Sequence, residues 1–241
     1  MDKIVKKLLE KTQYNGDKEP SNTISASEFG SDLLQIYYRH KYGVPDNKEF
    51  NQATIGSLLH ISVQELLKDE FKSEVHLSKE FPNKWKLSGS IDLLNDEYII
   101  DIKVTKQYTV ESVLNNKYHA YRWQLAVYKY LAKEILGKDL KTGILFFLKD
   151  GGYDFRNKKD LPSILFKELE VPSSKEVEER FYEIIEKLNL IDEDNFHCQD
   201  LWWRKDKTGV SEPLRCKKYC SYSDKCKWYQ KFKENNLNVS F

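Results

Sequence analysis

The pattern of apolar and polar positions predicts a β-sheet flanked by helices. Four segments have the alternation or the short apolar runs of strands: SEVHLSKEF, WKLSGSIDLLN, YIIDIKV and KTGILFFLKD. Helical spacing is found in ATIGSLLHISVQELLKDEF, from about Val110 to Leu136, and in SSKEVEERFYEIIEKLNLI, which has Glu early and Lys late as a helix dipole favours. The order α, β-β-β, α, β predicts an α/β fold with a mixed central sheet.

The remaining segments predict three regions along the chain. Residues 1 to about 12 and the segment SASEFGSDLLQIYYRHKYG have helical patterns, the second with Ser27 as its N-cap. The segment SILFKELEV predicts one more strand. We therefore expect an N-terminal helical region over residues 1–50, a core over 51–192, and a Cys-rich, basic and aromatic tail over 193–241.

Charged residues interrupt two strands that are otherwise apolar. Burying a charge without a partner is costly, so these positions need an explanation. Asp101 and Lys103 share one face of their strand, because side chains alternate between faces. A two-residue turn at 96–97 would place Asp92 directly opposite Asp101. A shift of one residue in the pairing would turn Asp92 to the other face.

Paired carboxylates beside a lysine favour phosphate chemistry at a divalent cation. The cation offsets the repulsion between the carboxylates, and carboxylate oxygens are ligands that hard cations prefer. A bound cation lowers the pKa of a coordinated water and stabilises charge on a phosphate. The lysine can orient or deprotonate that water, or stabilise the developing charge. The alternative is a solvent-exposed face of an antiparallel sheet with ordinary charged residues.

The motifs around this pair resemble the PD-(D/E)xK nuclease superfamily, and within it the RecB-like exonuclease branch. Four short motifs occur in the order of that family: GSLLH (Gly56 to His60), GSID (Gly89 to Asp92), DIK (Asp101 to Lys103) and QLAVY (Gln124 to Tyr128). The resemblance covers about residues 21–150 and the cysteine tail. It implies a restriction-endonuclease-like core and a metal-dependent deoxyribonuclease, with exonuclease activity expected.

The resemblance also implies roles for individual residues. The metal ligands would be His60, Asp92, Asp101 and the backbone carbonyl of Ile102, with Glu80 acting through water. The ion would be Mg²⁺ or Mn²⁺, and the imidazole suits Mn²⁺ better.

Three more residues complete the implied site. Lys103 would be the catalytic lysine. Gln124 and Tyr128, one helical turn apart, would contact the DNA backbone or support the site. Two simpler interpretations stay open: a partly buried histidine on an amphipathic helix at position 60, and an ordinary surface and core pair at 124 and 128. The other histidines have the pattern of surface or structural residues.

The cysteine tail predicts a second metal site. Cys198, Cys216, Cys220 and Cys226 all lie near the C-terminus, and the segment CKKYCSYSDKC resembles the cysteine triplet that ligates a [4Fe–4S] cluster in RecB-like nucleases, including CRISPR-associated ones. The family's fourth cysteine would fall within SASEFGSDLLQIYYR, where this chain has none, so Cys198 is the substitute. Four thiolates also suit Zn²⁺. Basic and aromatic residues in the tail favour nucleic-acid contacts, or a small core around the metal.

Composition and charge restrict the partners only broadly. The formal net charge is +1, so overall charge does not indicate a nucleic-acid partner. Membrane-spanning runs and a signal-peptide pattern are not apparent, and we expect an intracellular protein. The expected partners are DNA, single-stranded or at duplex ends, and a helicase or recombination protein. The alternatives are a structure-specific endonuclease, an inert nucleic-acid-binding module, and a redox metalloprotein.

Overall fold

The computed structural model describes most of the chain. Description covers residues 22–43, 52–149, 153–154, 159–160, 162–193, 198, 201, 203–205, 211–218 and 220–237. The helix predicted over residues 1–12 and the predicted tail residue His197 lie outside these ranges. The described chain divides into two compact units, Met1–Gly30 with Lys48–Glu179, and Ser31–Asn47 with Arg180–Phe241. The sequence-based division into three regions stays a prediction.

A six-stranded mixed sheet forms the centre of the first unit, as the sequence predicts. Its strands are β1 (Thr23–Ser25), β2 (Lys72–Glu80), β3 (Lys86–Leu94), β4 (Tyr98–Thr105), β5 (Lys141–Leu148) and β8 (Ile164–Glu168). The short strands β6 (Tyr153–Asp154) and β7 (Lys159–Asp160) pair separately. The order is β1-β3-β4-β5-β8, and β2 pairs with β3. The pairs β1–β3 and β4–β5 are parallel, and the other pairs of this sheet are antiparallel.

Two helices of the first unit lie against this sheet. In the described ranges up to residue 189, the helices are α1 (Leu33–Tyr42) of the second unit, then α2 (Gln52–Leu66), α3 (Gln107–Asn115), α4 (Ala120–Leu136) and α5 (Ser174–Asn189), which is divided between the units. Helix α2 lies against β3 and β4, where Val63, Leu93, Ile100 and Ile102 form an apolar cluster. Helix α4 lies against β2 to β5 and buries most of its middle turns. The apolar face predicted for β4 is therefore the face that packs on α2.

The single helix predicted from about Val110 to Leu136 is wrong, because two helices occupy that stretch. The carboxamide of Asn116 accepts the backbone N–H of Tyr118 (3.0 Å), and His119 Nδ1 accepts the N–H of Tyr121 (3.2 Å) as the N-cap of α4. Side chains that bond nearby backbone in this way compete with helix continuation. They end α3 and set a new start for α4.

The predicted N-cap at Ser27 is also wrong. Helix α1 begins at Leu33, and the N-cap is Asp32, whose Oδ1 accepts the backbone N–H of Leu34 (3.1 Å). Upstream, the backbone N–H and the hydroxyl of Ser25 donate to Glu28 Oε2 (2.9 and 2.7 Å). These bonds hold a tight turn directly after β1, so the chain around Ser27 is not free to start a helix.

The second unit has a small core of its own. It contains α1, part of α5, the hairpin of β9 (Trp203–Lys205) and β10 (Ser211–Pro213), α6 (Leu214–Lys218) and α7 (Lys227–Leu237). Leu34, Tyr38, Leu201, Tyr222 and Tyr229 are buried together with three cysteines. In the described ranges, no helix combines the length and the apolar character that crossing a bilayer requires.

Candidate active site

The hairpin of β3 and β4 brings two carboxylates together. Leu93 lies opposite Ile100. Continuing this register by one residue places Asp92 opposite Asp101, and the turn at residues 95–98 closes as the sequence predicts. The register is fixed by the apolar partners on the α2 face, because a slip of one residue would expose them.

The carboxylate of Asp92 takes the place of a backbone acceptor between the two strands. Its Oδ2 accepts the backbone N–H of Ile102 at 2.7 Å, and Asp92 is only 8% exposed. A hydrogen bond from a backbone amide to a carboxylate is stronger than a neutral one. It fixes the orientation of the Asp92 side chain at the point where β4 passes it.

Asp101 and Lys103 form a buried ion pair on the neighbouring strand. Asp101 is fully buried, and Lys103 Nζ lies 2.9 Å from its Oδ1 and 2.8 Å from its Oδ2. The Oδ2 atom makes no hydrogen bond of good geometry to any described residue. The ammonium also lies 5.1 Å from the ring centroid of Tyr121 on α4, a favourable cation–π distance that motif reading did not anticipate.

Helix α2 carries His60, the histidine of the candidate site. His60 Nδ1 lies 3.6 Å from Asp92 Oδ2. Burial lowers the pKa of His60, and the charge of Lys103 lowers it further. The imidazole is therefore neutral at neutral pH, which is the form that can bind a metal ion.

The charges of the site influence one another strongly. Burial raises the pKa of Asp92, and the negative charge of Asp101 adds to that rise. For Lys103, burial lowers the pKa, but the carboxylates of Asp101 and Asp92 outweigh it and the net pKa is raised. Lys103 therefore stays protonated between the two carboxylates. Strongly perturbed groups that face each other in this way are typical of functional sites.

Gln124 and Tyr128 bond to each other on α4. Gln124 Nε2 donates to the hydroxyl of Tyr128 at 2.7 Å. Tyr128 is 4% exposed, and its burial raises the pKa of the phenol, with further contributions from Asp101 and Asp92. Tyr128 thus lies in the core beside the carboxylates, and Gln124 covers its polar end.

Gly89 is required by the close approach of α4. A Cβ atom at residue 89 would lie 2.7 Å from Cε1 of Tyr128 and 3.0 Å from Cβ of Ala26. Real Cβ atoms do not approach a ring so closely. The glycine of the GSID motif therefore lets the ring of Tyr128 approach β3 closely, three residues before Asp92.

Glu80 does not join this site. It lies opposite Lys86 at the far end of β2, and Lys86 Nζ is 3.6 Å from its Oε2. Asp92 is six residue steps along β3 from Lys86, about 20 Å of strand. The water-mediated metal contact predicted for Glu80 is therefore wrong.

The acidic residue of β2 whose charge influences Asp92 is Glu74. It falls opposite Asp92 in the β2–β3 pairing, in a gap of the ladder between Ser73 and Val75. Its φ of 51° lies in the left-handed region, which non-glycine residues rarely adopt. Gln64, one turn after the histidine on α2, donates to its Oε1 at 2.6 Å. No motif marks Glu74, because its place depends on the pairing of β2.

The four cysteines belong to the second unit. All are free thiols; Cys198, Cys216 and Cys226 are buried and Cys220 is half-buried. Burial raises the pKa of Cys216 to about 12, and the neighbouring thiols of Cys226 and Cys220 contribute. Burial also raises the pKa of Cys198, and the carboxylate of Asp32 adds to the rise. Without a cation the thiols of Cys198 and Cys216 are protonated at neutral pH.

Neither the predicted ligands at the hairpin nor the four cysteines are arranged as a preformed metal site. Among the described residues, no three His, Cys, Asp or Glu side chains converge to hold an ion. In the hairpin the reason is visible: Asp92 bonds the Ile102 amide, and Asp101 pairs with Lys103. A C-terminal metal module is likewise not shown.

Comparison with known proteins identifies the family. The model of the PD-(D/E)XK nuclease superfamily matches residues 69–227, and the chain belongs to this superfamily. The crystal structure of SSO0001 is similar, with a TM-score of 0.61 and 19% identity, over 92% of this chain and 96% of that one. This likeness supports the fold. No curated protein matches the chain.

Two exonuclease structures are more distant. An alkaline exonuclease (LHK-Exo) from Laribacter hongkongensis has a TM-score of 0.46 and 13% identity, over 70% of this chain and 89% of that one. A phage related exonuclease from Haemophilus somnus 129PT has a TM-score of 0.41 and 13% identity, over 69% and 91%. These two likenesses are too distant to carry weight for the activity.

Substitution by alanine should change the free energy of unfolding in opposite directions at Gly89 and Gly56, the glycines of the GSID and GSLLH motifs. Gly89→Ala drives a methyl group into Tyr128 and should lower the free energy of unfolding by about 1–3 kcal/mol, the usual cost of overpacking. Gly56→Ala, in α2, has nothing within 4 Å of the added carbon and should raise it by about 0.5–1 kcal/mol. Urea denaturation followed by circular dichroism measures both. Equal effects of the two substitutions would contradict the close approach at Gly89.

Proposed function

We propose that the protein is a divalent-metal-dependent deoxyribonuclease of the RecB-like branch that acts as an exonuclease. The observation that carries the proposal is the convergence of three elements of one nuclease fold. The facing carboxylates of Asp92 and Asp101, the ammonium of Lys103 and the imidazole of His60 come from β3, β4 and α2. The exonuclease part rests on the order of the four motifs.

The donor chemistry fits a divalent cation. His60 Nδ1 lies 3.6 Å from Asp92 Oδ2, Asp92 faces Asp101 across the hairpin, and the buried Oδ2 of Asp101 makes no hydrogen bond of good geometry to a described residue. His60, Asp92, Asp101 and the carbonyl of Ile102 would hold Mg²⁺ or Mn²⁺. A cation bound there would lower the pKa of the attacking water and would stabilise negative charge on the phosphate.

Lys103 is suited to stabilise negative charge. Its raised pKa keeps it protonated, so of the roles expected from the sequence, charge stabilisation and orientation fit better than proton removal. The bonds to Asp101 and the ring of Tyr121 hold the ammonium in place. A fixed cation of this kind costs no reorganisation when the phosphate becomes more negative.

Two alternative functions each differ from the proposed exonuclease in one respect. A structure-specific endonuclease would use the same site on internal bonds. An inert nucleic-acid-binding module would keep the fold without turnover, but the retained ion pair and facing carboxylates favour an enzyme. Gln124 and Tyr128 support the site in either case, since the tyrosine lies beside both carboxylates.

The decisive assay compares end-labelled linear DNA with closed circular DNA in Mg²⁺ and in Mn²⁺. We expect degradation of the linear form only, and loss of at least about 100-fold in rate for Lys103→Ala, the scale on which removal of one electrostatic stabiliser acts. Asp101→Asn should be equally impaired. Lys141→Ala, which loses an exposed ion pair with Glu97, is the matched control and should retain full activity.

Each contrary result points to one alternative. Cleavage of circular DNA would replace the exonuclease with an endonuclease. DNA binding without turnover, unchanged by Lys103→Ala, would show the inert module. Full activity in the presence of a chelator would contradict the metal requirement.

Glu74 should affect cation affinity where Glu80 does not. Its carboxylate adds negative charge opposite Asp92, so Glu74→Gln should raise the Mn²⁺ concentration needed for half-maximal activity by about 10-fold, the lower end for residues that support a metal site. Glu80→Gln is the matched control and should leave that concentration unchanged. A metal titration of the initial rate measures it. Equal behaviour of the two variants would remove Glu74 from the site.

The cysteines suit a [4Fe–4S] cluster, with Zn²⁺ as the alternative. We propose that Cys198, Cys216, Cys220 and Cys226 ligate it, since four free thiols share one small unit. Bound metal would stabilise a core that is small by itself. Anaerobically purified protein should be brown, and Cys220→Ser should lose the colour. Colourless protein containing one zinc per chain would establish the alternative, and protein with neither metal would contradict both.

A further inference from the structure

An open cavity of about 380 Å³ lies between α2 and the ends of β4 and β5. Leu58, Leu59 and Ser62 of α2 line one side. Val104 of β4, Phe147 of β5 and Lys149, directly after β5, line the other. The walls are almost wholly apolar, and Lys149 is exposed at the rim. The core cluster below it includes Leu59 and Phe147, so the walls are held by packing.

The cavity lies on the α2 face of the sheet, close to the candidate active site along two elements. Leu59 directly precedes His60 on α2. On β4, Val104 is two residues after Ile102, whose amide bonds Asp92, and both side chains share the α2 face because faces alternate along a strand. Two residues of strand span about 7 Å, so the cavity begins roughly one nucleotide from the Asp92 end of the site.

We propose that this cavity binds the unstacked base of a nucleotide next to the phosphate that is cleaved. The inference rests on the proposed nuclease function and names its substrate more closely, as a strand whose terminal bases are unpaired. The planar apolar faces of a base suit apolar walls with one aromatic ring. Lys149 at the rim provides a positive charge for the phosphate of the same strand.

The chemistry of the lining also indicates which base is accepted. Ser62 carries the one hydroxyl among the described lining residues, and its Oγ already donates to the carbonyl of Leu58 at 2.9 Å. Among the described lining residues, only Ser62 and Lys149 have hydrogen-bonding side chains. Two such groups are too few to distinguish the hydrogen-bonding edges of the four bases. The cavity should therefore accept any base, as nucleases that process ends of arbitrary sequence require.

The test compares two tryptophan variants on the same helix. Ser62→Trp fills the cavity from its rim. Glu65→Trp adds the same bulk to an exposed position outside it, where Glu65 forms an exposed ion pair with Lys68. Binding is measured by fluorescence anisotropy with single-stranded oligonucleotides in a chelator, so that no cleavage occurs. One series is intact, and the other has a single abasic site moved stepwise from either end.

We expect wild type to bind the intact strand about tenfold more tightly than the strand that is abasic at one particular position, the size of one base–aromatic stacking contact. Ser62→Trp should bind both strands alike, at the weaker affinity. Glu65→Trp should behave as wild type. Circular dichroism confirms that both variants fold.

Two failures are distinguishable. If wild type neither binds nor degrades DNA, the proposed function itself is wrong. If it degrades DNA but no abasic position matters, or both variants retain the difference, the cavity does not hold a base and the inference is overturned. A preference for one of the four bases at that position would contradict the sequence-tolerant lining.

Discussion

The buried ion pair of Asp101 and Lys103 is the interaction on which the first unit depends. A fully buried carboxylate is costly in free energy unless a partner compensates it, and removal of one partner leaves the other charge unpaired. Lys103 is the partner that compensates Asp101, and the carboxylate of Asp92 and the ring of Tyr121 also stabilise the positive charge of Lys103. The pair and Asp92 place several charges within a sheet whose other buried side chains, among the described residues, are uncharged.

That arrangement explains why the site is carried by strands and one helix. Hairpin pairing fixes the two aspartates relative to each other, and α2 is held by its apolar contacts to the opposite face of β4. Each charged side chain is oriented by a hydrogen bond or an ion pair that exists before any ligand arrives. Such preorganisation is what electrostatic catalysis of phosphate chemistry requires.

The sequence could predict the hairpin but not its neighbours. Period-two alternation and a two-residue turn are local properties, and they were sufficient for the register of Asp92 and Asp101. The break between α3 and α4 depends on hydrogen bonds from backbone amides to the side chains of Asn116 and His119. The periodicity of apolar residues contains no information about such bonds. The exchange of Glu80 for Glu74 is a different kind of error, because the pairing of β2 with β3 is set by contacts distant in sequence.

The close approach of Tyr128 to Gly89 links two positions on separate elements. A side chain at residue 89 would require a smaller residue than Tyr128 or an outward movement of α4. An outward movement of α4 would withdraw Tyr121 from Lys103. Evolution can therefore change these sites only together. Residues 89 and 128 should covary among relatives, as a record of the distance between helix and sheet.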